Sequence, residues 1–452
     1  MKIILTRPNY HSHLVTPPLA LGYLSAYLRN NGYQVKIVDG LNYGLTNQEI
    51  VEQCQEADLV GISIMSDYFL ETKDLCQKLK QINKKVVLGG PHPSVLAKET
   101  LEETKADYVI IGEGEETLLD LVKAIENQQD VKQIPGLISR NKKEFIPRPL
   151  IKDLDSLPFL DWSALDPRNY KKAPHGALIK NFPVAPIISS RGCPYQCKFC
   201  ASPAIWHRII RFRSPANVVD EIEYLVNNFG VKEIHFEDDN LTLKKEHVSQ
   251  ICSLILERNL KISWATPNGI RADQVNFEIL QLMKQSGCYY IVFGIESGNQ
   301  EILDSIEKKE KLIEIERAVN WSHRLGLMTQ GFFIFGLPGE TEKTIKRTID
   351  FAKKIPLDRA QFLLLDLLPG SALWREYKDE IEIDYSKRSY QEATWIPPGL
   401  TKETLEKSQS LAFRSFFFRP RPLFSLIKYF RFCQLRFVLN RLKDFRIFNF
   451  KI

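Results

Sequence analysis

The chain is 452 residues long, 44% hydrophobic and 26% charged, with a formal net charge of +6. That length accommodates two or three domains with sizeable cores, and that balance excludes a mainly disordered or fibrous chain. No run of eighteen apolar residues is present, which excludes a membrane-spanning helix, and the eight cysteines, five of them scattered through apolar or helical contexts, exclude a disulfide framework and indicate a reducing, cytoplasmic compartment.

Met1 is followed directly by the strand-like run Lys2-Ile3-Ile4-Leu5, so no signal peptide is expected. Residues 1–130 then alternate strand and helix signals. Strands are expected at Lys2–Leu5, Gln34–Val38, Leu59–Ile64, Lys85–Leu88 and Tyr108–Ile111, and helices at Leu19–Asn30, Gln48–Gln55, Thr72–Gln81 and Glu115–Ile125. Strands this short and apolar predict a parallel sheet covered on both faces, a doubly wound α/β domain. Ligands of such domains sit beyond the carboxyl ends of the strands. Those ends carry Ser63 and the pair Gly89-Gly90, whose missing side chains let a large flat ligand approach the backbone. No G-x-G-x-x-G follows the first strand, which argues against a dinucleotide. Gly112-Glu113-Gly114-Glu115 is a weak phosphate-loop signal or the cap of the next helix.

Residues 131–185 form a linker rich in proline and charge. A small hairpin is expected there, Gly136–Ser139 against Glu144–Pro147 around Asn141. The run from Asp153 to Trp162, D-L-D-S-L-P-F-L-D-W, alternates apolar residues with acids and is expected to be ordered.

Residues 186–375 return to alternating elements. Six strands are expected, at Pro186–Ser189, Glu233–Phe236, Ile262–Ala265, Tyr289–Phe293, Thr329–Phe335 and Gln361–Leu365, with helices in the gaps. The first runs into R-G-C-P-Y-Q-C-K-F-C, a compact loop carrying Cys193, Cys197 and Cys200. Three thiolates spaced C-x3-C-x2-C suit a soft metal centre such as an iron–sulfur cluster. Structural zinc is the alternative, with His207 the nearest further ligand, but zinc sites usually want four ligands in two close pairs. At the later strand ends stand Asp238, Arg271 and Glu296, followed by the turn Gly336-Leu337-Pro338-Gly339. Each has a plainer alternative: Asp238 a helix cap, Arg271 an ordinary ion pair. Glu296 lies between apolar residues, where an acid is costly unless hydrogen-bonded. Tyr289 and Tyr290 are expected to pack in the barrel and no catalytic dyad or triad is recognisable, so no catalytic side chain is assigned.

Residues 376–452 end in a basic tail. From Phe413 to Ile452 there are ten Lys/Arg against one Asp, net +9, so the other 412 residues carry −3 and a nucleic-acid partner is not expected. The same stretch holds eleven of the 26 Phe. Pro420 and Pro422 are expected to break any helix there, with one amphipathic helix after them carrying Lys428, Arg431, Arg436, Arg441 and Lys443. Such a helix can lie on an anionic membrane surface or dock on the barrel.

The three-cysteine loop, with Phe199 just before its last cysteine, resembles the signature of the radical SAM enzymes. Ser63, Gly89-Gly90 and the D-L-D-S-L-P segment resemble the cobalamin-binding module and connecting segment found in one large subgroup of them. The resemblance implies a doubly wound cobalamin-binding domain, a partial (β/α)6 radical SAM barrel and a basic, Phe-rich helical tail. It implies three cofactors: a [4Fe–4S] cluster on Cys193, Cys197 and Cys200 with one iron left open, S-adenosyl-L-methionine on that iron, and cobalamin. By the same resemblance Ser63, Gly89 and Gly90 line the cobalamin tail. Asp238 takes the amine of S-adenosylmethionine, Arg271 its carboxylate, Glu296 its ribose or methionine end, and Gly336 and Gly339 its adenine. The cobalt-ligating form of the module has D-x-H-x-x-G after its first strand; here Asn9-Tyr10-His11-Ser12-His13-Leu14 lacks the Asp and the Gly, so a cobalt without a histidine below it is expected. The activity implied is C-methylation of an unactivated carbon in an apolar, lipid- or pigment-like substrate, through methylcobalamin and a 5′-deoxyadenosyl radical. The alternatives are oxidative ring closure, as in the anaerobic magnesium-protoporphyrin ester cyclases, and a non-catalytic corrinoid or iron–sulfur regulator. A flavodoxin or ferredoxin as reductant and a peripheral position on the inner face of the cell membrane complete the expectation.

Overall fold

The structure, a computed structural model, describes residues 1–12, 14–140, 145–172, 179–381, 385 and 392–429, the last four as backbone. These residues form two compact units, one built mainly from Met1–Lys171 and the other from Lys172–Pro203 and the chain from Arg208 onward.

The first unit is the expected doubly wound sheet. Strands β1 (Lys2–Arg7), β2 (Gln34–Asp39), β3 (Leu59–Ser63), β4 (Lys85–Gly89), β5 (Tyr108–Ile110) and β6 (Leu137–Ser139) lie in the order β2-β1-β3-β4-β5-β6. The first five are parallel. Helices α1 (Leu19–Asn30), α2 (Asn47–Gln53), α3 (Phe69–Gln81), α4 (Ala97–Thr104) and α5 (Glu115–Glu126) cover the faces. The strand order reverses between β1 and β3, which is where such sheets open a crevice for ligand. α1 stops where expected, with Gly32 at φ 87°. Residues Leu137–Ser139, the first arm of the expected hairpin, pair antiparallel with β5 and join the sheet. Short apolar triplets pair with whichever edge is open, and here β5 offers one. The hairpin turn itself lies outside the described residues, although Gly136 N still donates to Ile146 O at 2.7 Å.

The Asp153–Trp162 run is ordered, as its pattern suggested. Trp162 is fully buried, Asp161 accepts from Ser25 Oγ at 2.6 Å, and Leu160 fills the space left by Gly22. At the end of β1, Arg7 pairs with Asp39 through two hydrogen bonds of 2.7 and 2.8 Å, and Tyr170 OH donates to the same carboxylate at 2.7 Å. Three polar groups are thus buried only because each satisfies the others.

The second unit is an all-parallel six-stranded sheet. Its strands are β7 (Val184–Ile187), β10 (Glu233–Phe236), β11 (Ser263–Ile270), β12 (Cys288–Glu296), β13 (Met328–Phe335) and β14 (Arg359–Leu364), in the order β14-β13-β12-β11-β10-β7. A two-stranded ribbon, β8 (Ser190–Arg191) with β9 (Arg211–Phe212), follows β7. Helices α6 (Pro215–Phe229), α7 (Lys245–Glu257), α8 (Phe277–Gln285), α9 (Leu312–Arg324) and α10 (Glu342–Lys354) connect the strands. Phe236, Trp264, Phe293, Phe333, Phe335 and Phe362 are fully buried, each contributing about 1.5–3 kcal/mol of transfer free energy. β11 and β12 run farther than expected, which carries the chain as strand to within a residue of Arg271 and to Glu296 itself. Tyr289 and Tyr290 pack as expected and also hydrogen-bond, to Glu233 and Gln330.

The carboxyl-terminal region corrects the proline expectation. Helix α11 (Lys402–Phe417) packs on β14, with Phe413 and Phe416 against Phe362 and Gln409 Nε2 donating to Phe362 O at 2.8 Å. Pro420 and Pro422 then begin α12 (Pro420–Tyr429) rather than break it. They occupy its first turn, where a missing N–H costs nothing. The amphipathic helix expected beyond this point lies mostly outside the described residues.

Glu233 ties the base of the second sheet together. Its carboxylate accepts from Lys180 N at 3.0 Å, Asn181 N at 2.6 Å and Tyr289 OH at 2.6 Å, with His235 Nε2 at 2.8 Å. Burial alone would push its pKa up, but His235 and the hydrogen bonds hold it below the usual carboxylate range. A carboxylate lowered in the native state stabilises the fold above its unfolded pKa and loses that contribution as pH falls through the native value. Urea denaturation of the apo-protein is expected to show stability dropping below about pH 4.3. Glu233→Gln is expected to cost about 3–5 kcal/mol at pH 7, because it faces an amide against buried donors, and to flatten the acid-side loss. Equal stability of the two proteins at pH 7 would contradict this.

Candidate functional site

Every strand of the six-stranded sheet points its carboxyl end at the same edge, and the expected site residues of the second unit follow those ends. The cysteine loop leaves β7 through the β8–β9 ribbon, which closes its base. The loop is fastened at several points between its cysteines. Tyr195 lies under the Arg271 guanidinium, 3.7 Å from ring centroid to Cζ. Lys198 N donates to Ile306 O at 3.0 Å, and Leu373 N donates to Lys198 O at 2.9 Å. Phe199 packs against the apolar cluster of Ile302, Ile306, Leu337 and Leu373. Ser202 N points at Cys200 Sγ, 3.4 Å away.

The three thiols are half-buried and unbridged. Burial pushes each thiol pKa up, that of Cys200 to about 12. A bound iron reverses that, since a coordinating thiol is deprotonated outright. Among the described residues no three His, Cys, Asp or Glu side chains converge on a point where a single metal ion would be held. The backbone N–H aimed at Cys200 Sγ is the kind of donor that cluster sulfurs accept. His207 is solvent-exposed.

Arg271 and Glu296 are brought together by a lysine that the sequence did not single out. Lys308 Nζ lies 3.1 Å from Glu296 Oε1 and 3.3 Å from Glu310 Oε2. Glu310 Oε1 accepts from Ala272 N at 2.7 Å. Arg271 donates to both oxygens of Asp273, at 3.0 and 2.8 Å, and to Lys308 O at 2.8 Å. All of Arg271, Glu296, Lys308 and Glu310 are buried. Burial raises the Glu296 pKa and Lys308 opposes it. Arg271 is therefore a buried ion pair rather than a surface one, and its hydrogen-bonding groups are engaged inside the protein.

Asp238 is also engaged. Both its oxygens lie 3.1 Å from Ser189 N, and Oδ1 accepts from the hydroxyls of Ser189 and Ser190. Burial raises its pKa against those hydrogen bonds. It anchors the approach to the cysteine loop, while its neighbour Asp239 accepts from Ser202 Oγ at 2.9 Å beyond that loop. Gly336 and Gly339 both adopt positive φ, 88° and 81°, as the turn requires. Glu340 holds that turn by accepting from Gly336 N at 2.7 Å and Leu337 N at 3.2 Å. Burial raises its pKa to about 8.

In the first unit Ser63 and Gly89 are register partners at the ends of β3 and β4. A Cβ at Gly90 would lie 2.7 Å from Ile64 O and 3.2 Å from Ser63 Oγ, so Gly90 is required by packing. A Cβ at Gly89 would come no nearer than 3.9 Å to anything, so Gly89 is the more open of the two. That open end of β4, one strand from the switch point, fits a large flat cofactor. His11 is exposed, while Tyr10 beside it stacks on Tyr68 at 4.3 Å; His13 lies outside the described residues.

Lys308, Glu310, Tyr195 and Glu340 were missed from sequence. Ile306 to Lys311 reads I-E-K-K-E-K, which looks like a solvated charge run; only the fold shows that alternate members turn inward. A cavity of about 340 Å³ lined by His323, Met328, Asp358, Arg421 and Phe424 lies at the amino ends of β13 and β14, the opposite edge from the cysteines.

The Radical SAM superfamily matches residues 187–352 and the B12 binding domain matches residues 10–122. An uncharacterized methyltransferase of Pyrococcus horikoshii is 33% identical over 444 residues, 94% of each chain. The anaerobic magnesium-protoporphyrin IX monomethyl ester cyclase of Cereibacter sphaeroides is 29% identical over 439 residues, 93% of this chain and 71% of the cyclase. Among solved structures, the radical S-adenosylmethionine methyltransferase TsrM from Kitasatospora setae, with cobalamin and a [4Fe–4S] cluster bound, superposes with a TM-score of 0.72 at 20% identity, over 90% of this chain and 84% of its own. The chain thus belongs to the cobalamin-binding radical SAM enzymes, and its cofactors are S-adenosyl-L-methionine, cobalamin and a [4Fe–4S] cluster.

Proposed function

We propose that the enzyme acts at carbon atoms of an apolar, pigment-like molecule, and that the outcome is oxidative ring closure of the cyclase type. The observation that carries this reading is the match to the magnesium-protoporphyrin cyclase over 93% of the chain. C-methylation is the second reading, favoured by the 33% identical methyltransferase that matches the chain nearly end to end. A non-catalytic corrinoid regulator finds no support among these relatives.

When bound, the cluster and cobalamin supply the electron that cleaves S-adenosylmethionine to a 5′-deoxyadenosyl radical and the cobalt chemistry that follows. The chain's own residues hold and orient. Cys193, Cys197 and Cys200 take three irons of the cluster. Asp238 and Arg271 act chiefly through the cysteine loop that they anchor, while Glu296 flanks the methionine end. The Gly336–Gly339 turn, fixed by Glu340, gives adenine a close approach. Ser63 and Gly89 line the cobalamin tail, with Gly90 shaping the turn behind them. A flavodoxin or ferredoxin supplies electrons.

A peripheral membrane position is part of the proposal. No described helix is long and apolar enough to cross a membrane, but Phe418, Leu423 and Phe424 are exposed on and beside α12, and the basic, Phe-rich tail continues from it. Phe413 and Phe416 belong to the core, so a truncation must spare them.

Four outcomes test the proposal. Replacing Cys193, Cys197 and Cys200 together with Ala should abolish both bound iron and 5′-deoxyadenosine formation; four irons per chain in that variant would contradict the ligand set. Bound cob(II)alamin should show no nitrogen splitting from an axial ligand; a single-nitrogen pattern lost in His11→Ala would contradict the expected axial state. Mass analysis of the pigments and lipids of cells with and without the gene should show loss of two hydrogens for ring closure or gain of CH2 for methylation. Full-length protein should float with anionic liposomes at low salt and a chain ending at Tyr429 should not; equal flotation would remove the membrane from the account.

A further inference from the structure

Lys308 is the one lysine among the described residues that is buried. A buried ammonium is costly unless paired and hydrogen-bonded, and here the surroundings are arranged to keep it. Glu296 and Glu310 flank it at 3.1 and 3.3 Å. The residues on either side, Glu307 and Lys309, both sit at positive φ, 54° and 56°. Left-handed backbone at residues other than glycine persists only where the surroundings enforce it. Arg271 enforces it here, bonding Lys308 O at 2.8 Å and Lys309 O at 3.4 Å. The result is a turn whose outer residues face away while Lys308 is driven inward.

That turn is joined to the cysteine loop at three points. Lys198, between Cys197 and Cys200, donates its backbone N–H to Ile306 O at 3.0 Å. The Lys198 ammonium stands 3.9 Å from Glu307. Arg271, which holds the turn, stacks on Tyr195 between Cys193 and Cys197. Nothing in a purely mechanical buttress needs a charge at this position; an apolar side chain would fill it without the cost of desolvating an ammonium and two carboxylates.

We propose that Lys308 is a positioning residue for the iron–sulfur cluster whose fixed positive charge, in the turn bonded to the residue after Cys197, raises the cluster's reduction potential, with Glu310 as the opposing charge that moderates it. Local net charge is one of the protein's levers on such potentials. The step concerned is the one-electron reduction of the bound cluster by a low-potential one-electron donor: the electron enters the cluster, no bond is broken and no proton is taken up. Lys308 lowers the energy of the reduced form by opposing its added negative charge. The inference rests on Cys193, Cys197 and Cys200 being the cluster ligands.

The test is a dithionite redox titration of anaerobically reconstituted full-length protein, followed by the electron paramagnetic resonance signal of the reduced cluster. Lys308→Met should lower the midpoint by at least a tenfold shift in the one-electron equilibrium, about 59 mV. Lys308→Arg, which keeps the charge, should stay within threefold of the parent. Glu310→Gln keeps the acceptor for Ala272 N and removes a negative charge, so its midpoint should rise. An unchanged midpoint in Lys308→Met with full iron content overturns the proposal, as do shifts of the same sign in Lys308→Met and Glu310→Gln. If Lys308→Met takes up no iron, Glu310→Gln decides: full iron with an unmoved midpoint overturns the proposal, and a rise supports it. Failure of the parent protein itself to load iron would instead sink the cluster-ligand reading.

Discussion

The site depends on a set of charges that the protein has taken out of water. Glu296, Lys308, Glu310, Arg271 and Asp273 are linked in one chain of contacts at the carboxyl ends of β11 and β12. Desolvating an ion costs several kcal/mol even after relaxation, and only close pairing returns it. Each member is therefore tolerable only while the others stay in place. Removing one leaves its partner buried and uncompensated, which makes the set cooperative and rigid. That rigidity is handed to the cysteine loop through Tyr195, on which Arg271 stacks, and through Lys198, which the adjoining Ile306 and Glu307 hold. A loop rich in Gly and Pro has little order of its own, and here its order is borrowed from the barrel.

The same economy recurs at the other strand ends. Asp238 holds Ser189 and Ser190 as the chain leaves β7, and Glu340 holds the Gly336–Gly339 turn by its backbone. Acids that look in sequence like ligand groups serve in the structure to fix the backbone that a ligand would meet. Arg7, Asp39 and Tyr170 do the equivalent work in the first unit. The chain thus spends buried polar residues on pre-shaping loops, while apolar strands carry the stability. Chemistry supplied by cofactors asks for that division, because the protein's task is to position rather than to donate and accept protons.

Much of this was legible in the sequence. Period and length located nearly every strand of both sheets, because short continuous apolar runs admit few other fates. The cysteine spacing located a compact loop of three unbridged thiols, and Ser63 with Gly89 fall at strand ends. What escaped was whatever depends on contacts distant in sequence. Lys308 and Glu310 sit in a run of alternating charge that is indistinguishable from a surface turn until the fold turns it inward. Leu137–Ser139 also pairs with the β5 edge, a partner that local pattern did not announce. Pro420 and Pro422 start a helix because they fall in its first turn, a matter of where α11 ends. Phe413 and Phe416 were counted with a membrane-facing tail, yet α11 lays them on Phe362.

The central claim is that three cysteines hold a four-iron cluster with one iron open to S-adenosylmethionine. The most direct measurement is pulsed electron–nuclear double resonance of the reduced, reconstituted protein with S-adenosylmethionine carrying a nitrogen-15 label on its amino group. The account predicts a nitrogen-15 coupling to the cluster spin that is absent with unlabelled compound. A reduced cluster that shows no coupling to the labelled amine, with the compound bound, would contradict it.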